Sequence, residues 1–476
     1  MGHFRHQLAN RQRNVVSVEI QFCGAAGEVT GSLYVVRTAE HTVLLECGLI
    51  QGGRAAEERN RDPFPLPVED IDAVILSHAH IDHSGRVPLL IRRGYTGPII
   101  TQNATRALCE IMLPDSGYLN EKDAEWENKR RKKNGKSLVE PLYTKQDAEN
   151  CLSQFESIRY KDRREVVPGL TVCFHDAGHI LGSAIVELAF AENGQSRTLV
   201  FSGDLGYRDA PVMDPPCRLK HADAVLMEST YGDRLHRHFA ETIEELADVF
   251  ETARANQGNI LIPAFTVGRT QDLLYLMAEH FDEWRLKDWK IFLDSPMGIE
   301  ATEAYARYRH LYGVKLFGPD SHLPNLPNFY TTRTTEESMM INQVKSGAII
   351  IAGSGMCSGG RIHHHLKNNI WQPTCHLLIV GFQAHGTLGR RIVDGADKIK
   401  LWGETYPVRA KVHTIGGLSA HGDQRDLMDW YAAFENRPPV YLVHGEPRAQ
   451  NALMTKMKTE LGAPVSIAAL GQTIQL

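Results

Sequence analysis

The segment ILSHAHIDHSG, Ile75–Gly85, follows an apolar run typical of a buried strand, and it places three histidines and an aspartate within six positions. Imidazoles and a carboxylate at the end of a buried strand lose hydration, which is costly unless something pairs with them. His78, His80, Asp82 and His83 are all common ligands for zinc-like metals, and open α/β sheets bind ligands at such strand ends. The pattern therefore predicts a strand end that carries a metal. The alternative is a solvent-exposed loop that is merely rich in histidine.

Four later turns carry further candidate ligands, each just after an apolar strand-like run: His179 in HDAGHILGSA, Asp204 in VFSGDLG, His421 in GGLSAHGD and His444 in YLVHGE. Any one of them alone would be an ordinary loop residue. Glycines and small residues surround each, which allows the backbone to approach a shared centre. Their recurrence at strand ends favours one common metal site.

Length and composition narrow the class of protein. A chain of 476 residues is too long for one simple core and predicts two or three domains. No run approaches the ~18 apolar residues of a membrane helix, and the basic N-terminus lacks an apolar core, so we expect a cytoplasmic protein without a membrane partner. The eight cysteines contain no CxxC, which argues against a zinc ribbon or a disulfide framework and predicts reduced, mostly buried thiols.

The charge pattern leaves two interpretations of one basic run. A net charge of -5 argues against nonspecific coating of nucleic acid, although a local basic groove can coexist with it. The run NKRRKKNGK, Asn128–Lys136, is either a solvated helix end or a patch that contacts phosphates.

The order of strand-like and helix-like runs predicts an insertion. The first part alternates strands with glycine turns, as in SVEIQFCGAAGEVTGSLYVV and IDAVILSHAH, and has one helix near Ala104–Leu113. From about Arg234, helical runs such as TIEELADVFETARAN alternate with short strands such as GNILIPAF, which implies a parallel, three-layer unit. Strands resume with VRAKVHTIGG and PPVYLVHGE, so the middle unit interrupts a domain that C-terminal strands complete.

Nearly the whole chain, from FCGAAGEVTGS to VHGE, resembles the metallo-β-lactamase superfamily, and within it the RNA-processing nucleases with an inserted β-CASP domain. The resemblance extends to the endonuclease subunit of the cleavage and polyadenylation specificity factor. It is carried by SHAHIDHSG, GHILGSA, FSGDLG, ESTYGD, PAFTVGRTQ, SGMCSGGR, GTLGRRI, TIGGLSAHGDQ and LVHGE. It implies an α/β fold: a metallo-β-lactamase αββα sandwich with an inserted three-layer α/β β-CASP domain. We expect the sandwich in residues 1–208 and 401–476, the latter with an RNA-metabolising motif, and the insertion in 209–400.

The resemblance also implies the cofactors, two zinc ions with Mn²⁺ as an alternative. The expected ligands are His78, His80 and His179 for one ion, Asp82, His83 and His444 for the other, and Asp204 as the bridge. The marker residues that accompany the insertion are Glu228, His421 and His444.

Two positions depart from the family pattern. Glu46 in LLECGLIQ stands where an aspartate usually supports the ligands from behind, so the longer side chain is expected to shift a histidine. His385 stands where related chains often carry an acidic residue.

The predicted metals suggest a reaction. Zinc ions ~3.5–4 Å apart, held in part by the catalytic carboxylates of Asp82 and Asp204, make water a hydroxide at neutral pH and neutralise charge on a phosphate under attack. The leaving ribose oxygen needs a proton, and His421 with Glu228 as its partner is the candidate donor. The alternatives are a helix cap or loop ion pair for Glu228 and an ordinary core histidine for His421.

Candidate RNA contacts lie in the insertion. Arg269 in FTVGRTQ stands at a helix start, where N–H groups and the helix dipole favour a phosphate. The segment GSGMCSGGR could hold phosphates through Ser354, Ser358, Arg361 and the backbone, or could be only a tight turn. Neighbouring residues His363–His365 point in different directions, which predicts helix-start packing with one RNA contact at most rather than a third metal.

The leading hypothesis is a zinc-dependent ribonuclease that cleaves single-stranded RNA internally and also trims from the 5′ end. A thioester or lactone hydrolase would not need so large an insertion, and a noncatalytic RNA-binding subunit would be expected to lack ligands. A DNA nuclease is the nearest alternative, and in the resemblance His444 at the last motif favours RNA. A homodimer through the hydrolase domain also agrees with the resemblance.

Overall fold

The computed structural model describes residues 18–476 except 193, 194, 319, 320, 323 and 385. The basic N-terminal segment and His385 lie outside the described residues.

Alternating strand-like runs in the first half form eleven strands. They are β1 (Glu19–Phe22), β2 (Tyr34–Arg37), β3 (Thr42–Leu45), β4 (Ala73–Ile75), β5 (Ile99–Gln102), β6 (Phe155–Ile158), β7 (Arg163–Val167), β8 (Leu170–Asp176), β9 (Ala184–Glu192), β10 (Gln195–Phe201) and β11 (Ala224–Glu228). The remaining strands are β12 (Ile260–Pro263), β13 (Lys290–Leu293), β14 (Phe329–Thr331), β15 (Ala348–Ala352), β16 (His376–Ile379), β17 (Lys398–Leu401), β18 (Glu404–Pro407), β19 (Lys411–Thr414), β20 (Val440–Val443), β21 (Val465–Ile467) and β22 (Thr473–Gln475).

Helices connect the strands throughout the chain. They are α1 (Arg54–Glu58), α2 (Ile81–Ser84), α3 (Val87–Arg92), α4 (Asn103–Lys133), α5 (Lys145–Cys151), α6 (Phe239–Ala255), α7 (Arg269–Glu279), α8 (Pro296–Arg307), α9 (Thr335–Ile341), α10 (Arg361–Asn369), α11 (Leu388–Val393), α12 (Gln424–Ala432) and α13 (Pro447–Leu461). Short 3-10 helices span Arg59–Arg61, Val68–Asp70, Leu152–Gln154, Leu286–Asp288 and Arg309–Leu311.

Two seven-stranded sheets form a sandwich, in the orders β22-β1-β2-β3-β4-β5-β6 and β21-β20-β11-β10-β9-β8-β7. Alternation along β1 turns Ile20 and Phe22 inward, as expected for a strand with one face on a core. Tyr34 of the first sheet meets Phe201 of the second with ring centroids 5.4 Å apart. Burial of each such ring stabilises the fold by about 1.5–3 kcal/mol.

Helices cover both outer faces of the sandwich. Leu90 of α3 and Leu108 of α4 share a core with β4 of the first sheet. Leu427 of α12 and Leu453 of α13 share one with β10 and β11 of the second. The predicted αββα architecture is therefore confirmed.

The insertion contains a six-stranded parallel sheet in the order β14-β13-β15-β12-β16-β19. Its central strands β12, β15 and β16 are buried throughout and apolar except for His376, as expected of strands covered on both faces. Helices α6, α7 and α8 pack on one face, and α9 and α10 pack on the other. The three-layer unit predicted from the alternating runs is confirmed.

Sheet membership bears on the domain boundaries. Strand β11 pairs with β10 and β20 inside the sandwich, whereas β19 pairs with β16 inside the inserted sheet. The prediction that VRAKVHTIGG begins the returning sandwich strands is therefore wrong for β19, because its backbone completes the edge of the inserted sheet. The division at 208/209 and 400/401 stays a prediction, and the pairing favours later boundaries.

The helix expected near Ala104–Leu113 is three times longer than expected, because α4 continues through Pro114 to Lys133. The basic run thus begins on a helix C-terminus, where positive charge is favourable. Arg130 and Arg131 pair there with Glu127, in agreement with the interpretation as a solvated helix end. Among the described residues, no helix combines the length and apolarity needed to cross a bilayer.

Candidate metal centre

The candidate ligands come from strand ends of both sandwich sheets. The turn after β4 and helix α2 carry His78 to His83, and the turn between β8 and β9 carries His179. Asp204 follows β10 and His444 follows β20. Because the sheets face each other, these ends converge at one edge of the sandwich, as the sequence predicted.

The first group of ligands contains three histidines. His80 Nδ1 lies 3.2 Å from His78 Nε2 and 3.1 Å from His179 Nε2. Asp204 Oδ2 lies 3.4 Å from His78 Nε2 and 3.6 Å from His179 Nε2. These spacings match the roughly 3.3 Å between ligand atoms that surround one zinc ion at about 2.0 Å.

The second group lies directly beside the first. His83 Nε2 and His444 Nε2 are 3.2 Å apart, and His444 Nε2 lies 3.4 Å from Asp82 Oδ2. Asp204 Oδ1 lies 3.4 Å from His83 Nε2. The two oxygens of Asp204 thus face different ligand groups, which is the geometry of a bridging carboxylate.

Burial and protonation fit a metal ion at the first group. Asp204 Oδ1 is buried and has no hydrogen-bond partner among the residues that the structure describes. Burial lowers the pKa of His78 to about 3 and that of His80 to about 4, so both imidazoles are neutral donors near pH 7. At the second group, burial opposes a charged ring, but Asp204 and Asp82 raise the pKa of His83 well above its usual value, so these carboxylates favour a positive charge there. A metal ion would supply that charge in place of the proton, and this donor set is the one that zinc prefers.

Hydrogen bonds orient the ligands from behind. Glu46 accepts bonds from the Ser77 N–H at 2.6 Å and the Ser77 hydroxyl at 3.0 Å, and its carboxylate lies 2.5 Å from His83 Nδ1. His179 Nδ1 donates to the Ala420 carbonyl at 3.0 Å, and Thr230 Oγ1 lies 3.0 Å from His444 Nδ1. Such contacts fix the tautomer and angle of each ring.

His421 and Glu228 form the pair predicted beside the metals. Glu228 is fully buried, accepts the Leu205 N–H at 2.7 Å, and lies 3.1 Å from His421 Nδ1. His421 Nε2 lies 4.0 Å from Asp204 Oδ2, and its side chain is 21% exposed. Burial opposes the charged ring, but Glu228 and Asp204 raise the pKa of His421 to about 9.

Comparison with known proteins agrees with this geometry. The chain matches the metallo-beta-lactamase superfamily over residues 26–169, the Beta-Casp domain over 270–392 and the Zn-dependent metallo-hydrolase RNA specificity domain over 405–468. It is 38% identical over 456 residues to ribonuclease TTHA0252 of Thermus thermophilus, covering 95% of this chain and 98% of that one. The chain belongs to the β-CASP family of the metallo-β-lactamase superfamily.

Other relatives extend the comparison. Transcription termination factor FttA of Methanocaldococcus jannaschii is 31% identical over 445 residues, which cover 90% of this chain and 67% of that one. A crystal structure of a protein of unknown function from Enterococcus faecalis superposes with a TM-score of 0.55 at 13% identity, over 97% of this chain and all of that one. That structure shares the fold.

The β-CASP domain contacts the turn that carries His179. The Leu181 N–H, two residues after His179, donates to the Tyr305 hydroxyl of α8 at 3.2 Å. A Cβ added at Gly268 would lie 3.1 Å from Ile180, so the loop before α7 touches the His179 turn. The carboxyl end of the inserted sheet therefore faces the candidate ligands.

The candidate phosphate contacts differ in their surroundings. Arg269 begins α7 and is buried, with Nη1 3.4 Å from Asp272 and an Nε that has no partner within the described chain. The Ser354 hydroxyl accepts the Ser358 N–H at 2.9 Å, and Ser358 is exposed. Both segments lie at the carboxyl edge of the inserted sheet, so their contacts with phosphate stay predictions that the placement supports.

The guanidinium of Arg361 donates hydrogen bonds to other parts of the protein. Its Nη1 donates to Asp294 at 2.6 Å and to the Thr332 carbonyl at 2.9 Å, and its Nη2 donates to the Arg333 carbonyl at 2.6 Å. A guanidinium held in this way disfavours the predicted RNA contact, which no observation tests directly.

The three adjacent histidines of α10 point in different directions. His365 is buried against Asp294 at 2.6 Å, His363 Nε2 donates to the Cys357 carbonyl at 2.7 Å, and the His364 ring lies 4.5 Å from that of Trp402. This divergence agrees with the prediction of helix packing rather than a third metal.

Two aromatic residues near the site were missed from the sequence. Phe265 follows β12 and is 44% exposed, and Phe382 follows β16 and is 59% exposed. Gly355 and Gly381 approach the Phe265 ring, so these residues share one edge. Only the position of each phenylalanine, just after a buried parallel strand, could have marked it.

Proposed function

We propose that this β-CASP protein is a zinc-dependent ribonuclease that hydrolyses phosphodiester bonds of single-stranded RNA in RNA processing or decay. Cleavage is internal, with 5′-to-3′ trimming as a second mode. The observation that carries the proposal is the placement of Asp204 between two ligand groups, with His421 4.0 Å away. The names of the relatives, ribonuclease and transcription termination factor, support RNA as the substrate class.

Two zinc ions fit the donor set, with Mn²⁺ as an alternative. The first ion would be held by His78, His80 and His179, the second by Asp82, His83 and His444, and Asp204 would serve both. When bound, such metals supply Lewis acidity that depresses the pKa of water and offsets charge on the phosphate. The protein contributes ring orientation through Glu46 and Thr230.

His421 is the proposed proton donor to the leaving ribose oxygen. Glu228 receives His421 Nδ1–H, which leaves Nε2 directed to the side of the ring where the Asp204 carboxylate lies. The buried Glu228 carboxylate stabilises the imidazolium and fixes the ring orientation. Glu228 is itself held by the Leu205 N–H, so the pair is preorganised.

The β-CASP domain supplies the proposed RNA-binding wall. Phe265 and Phe382 offer exposed rings at the edge that faces the metals, and unpaired bases stack on such rings without a requirement for sequence. Arg269 and the Ser354 turn are the proposed phosphate contacts. A thioester or lactone needs no such wall, which favours the polymer substrate over the small-ester alternative.

The location and assembly of the protein are also proposals. All eight cysteines are free thiols, which suits a reducing compartment such as the cytoplasm. A homodimer through the hydrolase domain is proposed from the family resemblance alone.

The deciding experiment compares cleavage of 5′-labelled single-stranded RNA with that of the matching DNA. Wild type and His421→Ala are purified with zinc, together with His221→Ala as a matched control, because His221 is 68% exposed. We expect wild type and the control to cut RNA, and His421→Ala to keep its metals while slowing by roughly 100-fold or more.

Other outcomes would redirect the assignment. Equal cleavage of DNA would favour the DNA nuclease alternative. Failure of fully metallated wild type to cut either polymer would favour hydrolysis of small esters.

A further inference from the structure

Four metal-ligating side chains gather away from the centre described above. Cys173 and His175 are two residues apart on β8 and share a face, and Glu187 on β9 is the register partner of Cys173. The intervening Phe174 faces the sandwich core, so this group lies on the opposite face of the sheet. Cys217 joins from the loop between β10 and β11. We call Cys173, His175, Glu187 and Cys217 the outer cluster.

The ligand atoms of the outer cluster are close together and largely shielded from water. One ligand atom each of Cys173, His175 and Glu187 lies within 4.8 Å of the other two. His175 Nε2 is 2.8 Å from Glu187 Oε2. Cys217 lies outside that group of three but near enough to His175 to contribute, with Glu187, to raising the pKa of the ring to about 9 against the effect of burial. Cys173 is 2% exposed, and the side chains of His175 and Glu187 are 12% and 15% exposed.

An ion pair alone does not account for this composition. Glu187 bridges His175 and Arg163, the latter at 2.8 Å, and that arrangement requires no thiol. Yet two thiols from distant parts of the chain converge on the same imidazole. Thiolate, imidazole and carboxylate are the donors that zinc takes in tetrahedral sites, and a set of four leaves no position for substrate.

We propose that the outer cluster binds a zinc ion of its own, a structural site separate from the centre of histidines and aspartates. Tetrahedral ligand atoms lie roughly 3.3–3.8 Å apart, so the ligand atoms of Cys173, His175 and Glu187 would move by about 1.5 Å or less on binding, and Cys217 would move in from its neighbouring loop as the fourth ligand. Binding releases the thiol protons and the proton shared by His175 and Glu187, so affinity rises with pH.

The site would hold a loop that supports the metal centre. The Cys217 N–H donates to the Asp176 carbonyl at 2.8 Å, at the end of β8. A Cβ added at Gly178 would lie 2.3 Å from the Asp214 carbonyl and 3.1 Å from the Pro216 nitrogen, so this loop packs against the turn that presents His179. A zinc ion between Cys217 and strands β8 and β9 would pin that loop in place.

Cobalt substitution tests the proposal, because a thiolate bound to Co²⁺ gives a charge-transfer absorption in the near ultraviolet. The centre of histidines and aspartates contains no cysteine and cannot produce that band. We expect the band in cobalt-loaded wild type and in Asp204→Ala, and its loss in Cys173→Ser. Cys151→Ser is the matched control, since Cys151 is a buried thiol on α5, and it should keep the band.

Metal content provides a second readout. Cys173→Ser should bind about one zinc ion per chain less than wild type and Cys151→Ser. If Cys173→Ser fails to fold by circular dichroism, Cys217→Ser at a partly exposed position replaces it and should give the same loss. Absence of the band from fully cobalt-loaded wild type, or a band of undiminished intensity in a folded cluster variant, would overturn the proposal.

Discussion

At the scale of single residues, Glu46 links the Ser77 backbone to His83, one of the candidate metal ligands. Its backbone φ is 67°, a conformation that side chains with a Cβ rarely adopt. The carboxylate accepts two bonds from Ser77 and contacts His83 Nδ1, so three contacts hold the side chain. The sequence predicted that a glutamate here would shift the orientation of a histidine. The carboxylate contacts His83 Nδ1, and the shift in ring orientation stays a prediction.

Shortening this side chain should weaken metal binding. In Glu46→Asp the carboxylate withdraws by one methylene, so it cannot keep the contacts with Ser77 and His83 together. We expect zinc affinity to fall by about 10–100-fold, the usual effect of losing such a partner. Competition with a fluorescent chelator measures the change.

Glu40→Asp is the control, because Glu40 lies on the exposed turn before β3, away from the ligands. Unchanged affinity in Glu46→Asp would mean that His83 is oriented by its other contacts.

At the scale of elements, the carboxyl end of the inserted sheet faces the candidate metal ligands. Strands β12, β15 and β16 end there side by side, followed by Phe265, Ser354 and Phe382. Parallel strands present their following loops at one edge, which is where open α/β sheets bind ligands. The element thus collects aromatic and polar contacts from three distant sequence segments.

Removal of the exposed rings should reduce binding of RNA without affecting the chemistry. We expect Phe265→Ala and Phe382→Ala each to raise KM for single-stranded RNA by roughly 5–150-fold, corresponding to the ~1–3 kcal/mol of one base–aromatic stack. Hydrolysis of a small chromogenic phosphodiester should stay unchanged. Tyr330→Ala on edge strand β14 is the matched control, since Tyr330 is 48% exposed. An equal loss on both substrates would indicate a structural role for the rings.

The edge strand β19 carries an acid-sensitive contact. His376 Nδ1 and His413 Nε2 are 2.8 Å apart with nearly parallel rings. Burial, then the neighbouring His413 and Lys411, lowers the pKa of His376 from 6.5 to about 4. In the unfolded chain this imidazole takes up a proton near pH 6.5, whereas in the folded chain it does so only near pH 4. The free energy of unfolding therefore decreases as the pH falls from about 6.5 to about 4.

The variant His413→Gln tests this sensitivity. It should be less stable than wild type at pH 7.5 by about 1 kcal/mol, the value of one hydrogen bond. The difference in free energy of unfolding should become smaller toward pH 5. The variant lacks the half-buried imidazole of His413, so acid destabilises it less than it destabilises wild type. Urea unfolding at both pH values measures it, with His221→Gln as the exposed control. A deficit that does not depend on pH would remove the pair as a source of acid sensitivity.

At the scale of the whole molecule, the β-CASP insertion and the sandwich share one apolar core. Leu108 and Ile180 of the sandwich belong to the same buried cluster as Leu246, Ile262 and Leu273 of the insertion. The metal centre lies beside this shared core, and its ligands come from both sandwich sheets. Metal binding and folding should therefore be coupled.

Removal of metal should destabilise the entire protein. Without metal, the buried Asp204 carboxylate is balanced only by protonated imidazoles such as His421, and each lost metal forfeits its binding energy. We expect a chelator to lower the free energy of unfolding by about 4 kcal/mol for each ion removed, relative to protein at free zinc 1,000-fold above its dissociation constant. Calorimetry with and without chelator measures the change in Tm.

The variant Asp204→Ala supplies the contrast, since it should lose metal beforehand and respond less to the chelator. A wild-type Tm that does not respond to chelation would show that the centre folds without its metals.

The overall architecture and the set of candidate ligands could be predicted from the amino-acid sequence alone. A buried strand followed by His78, His80, Asp82 and His83 predicts a metal site, because few other functions need these side chains together. Helical runs that alternate with apolar strands predict an inserted domain with a parallel sheet. Both signals are local, because side-chain chemistry and periodicity act over a few residues.

Features that depend on contacts between distant segments are visible only in the folded structure. Strand β19 joined the inserted sheet, Arg361 was committed to Asp294, and Cys217 was brought to His175 by a loop more than forty residues away. The neighbouring sequence does not predict any of these contacts. The partner of a strand edge, a guanidinium or a thiol depends on which distant segment the folded chain places beside it.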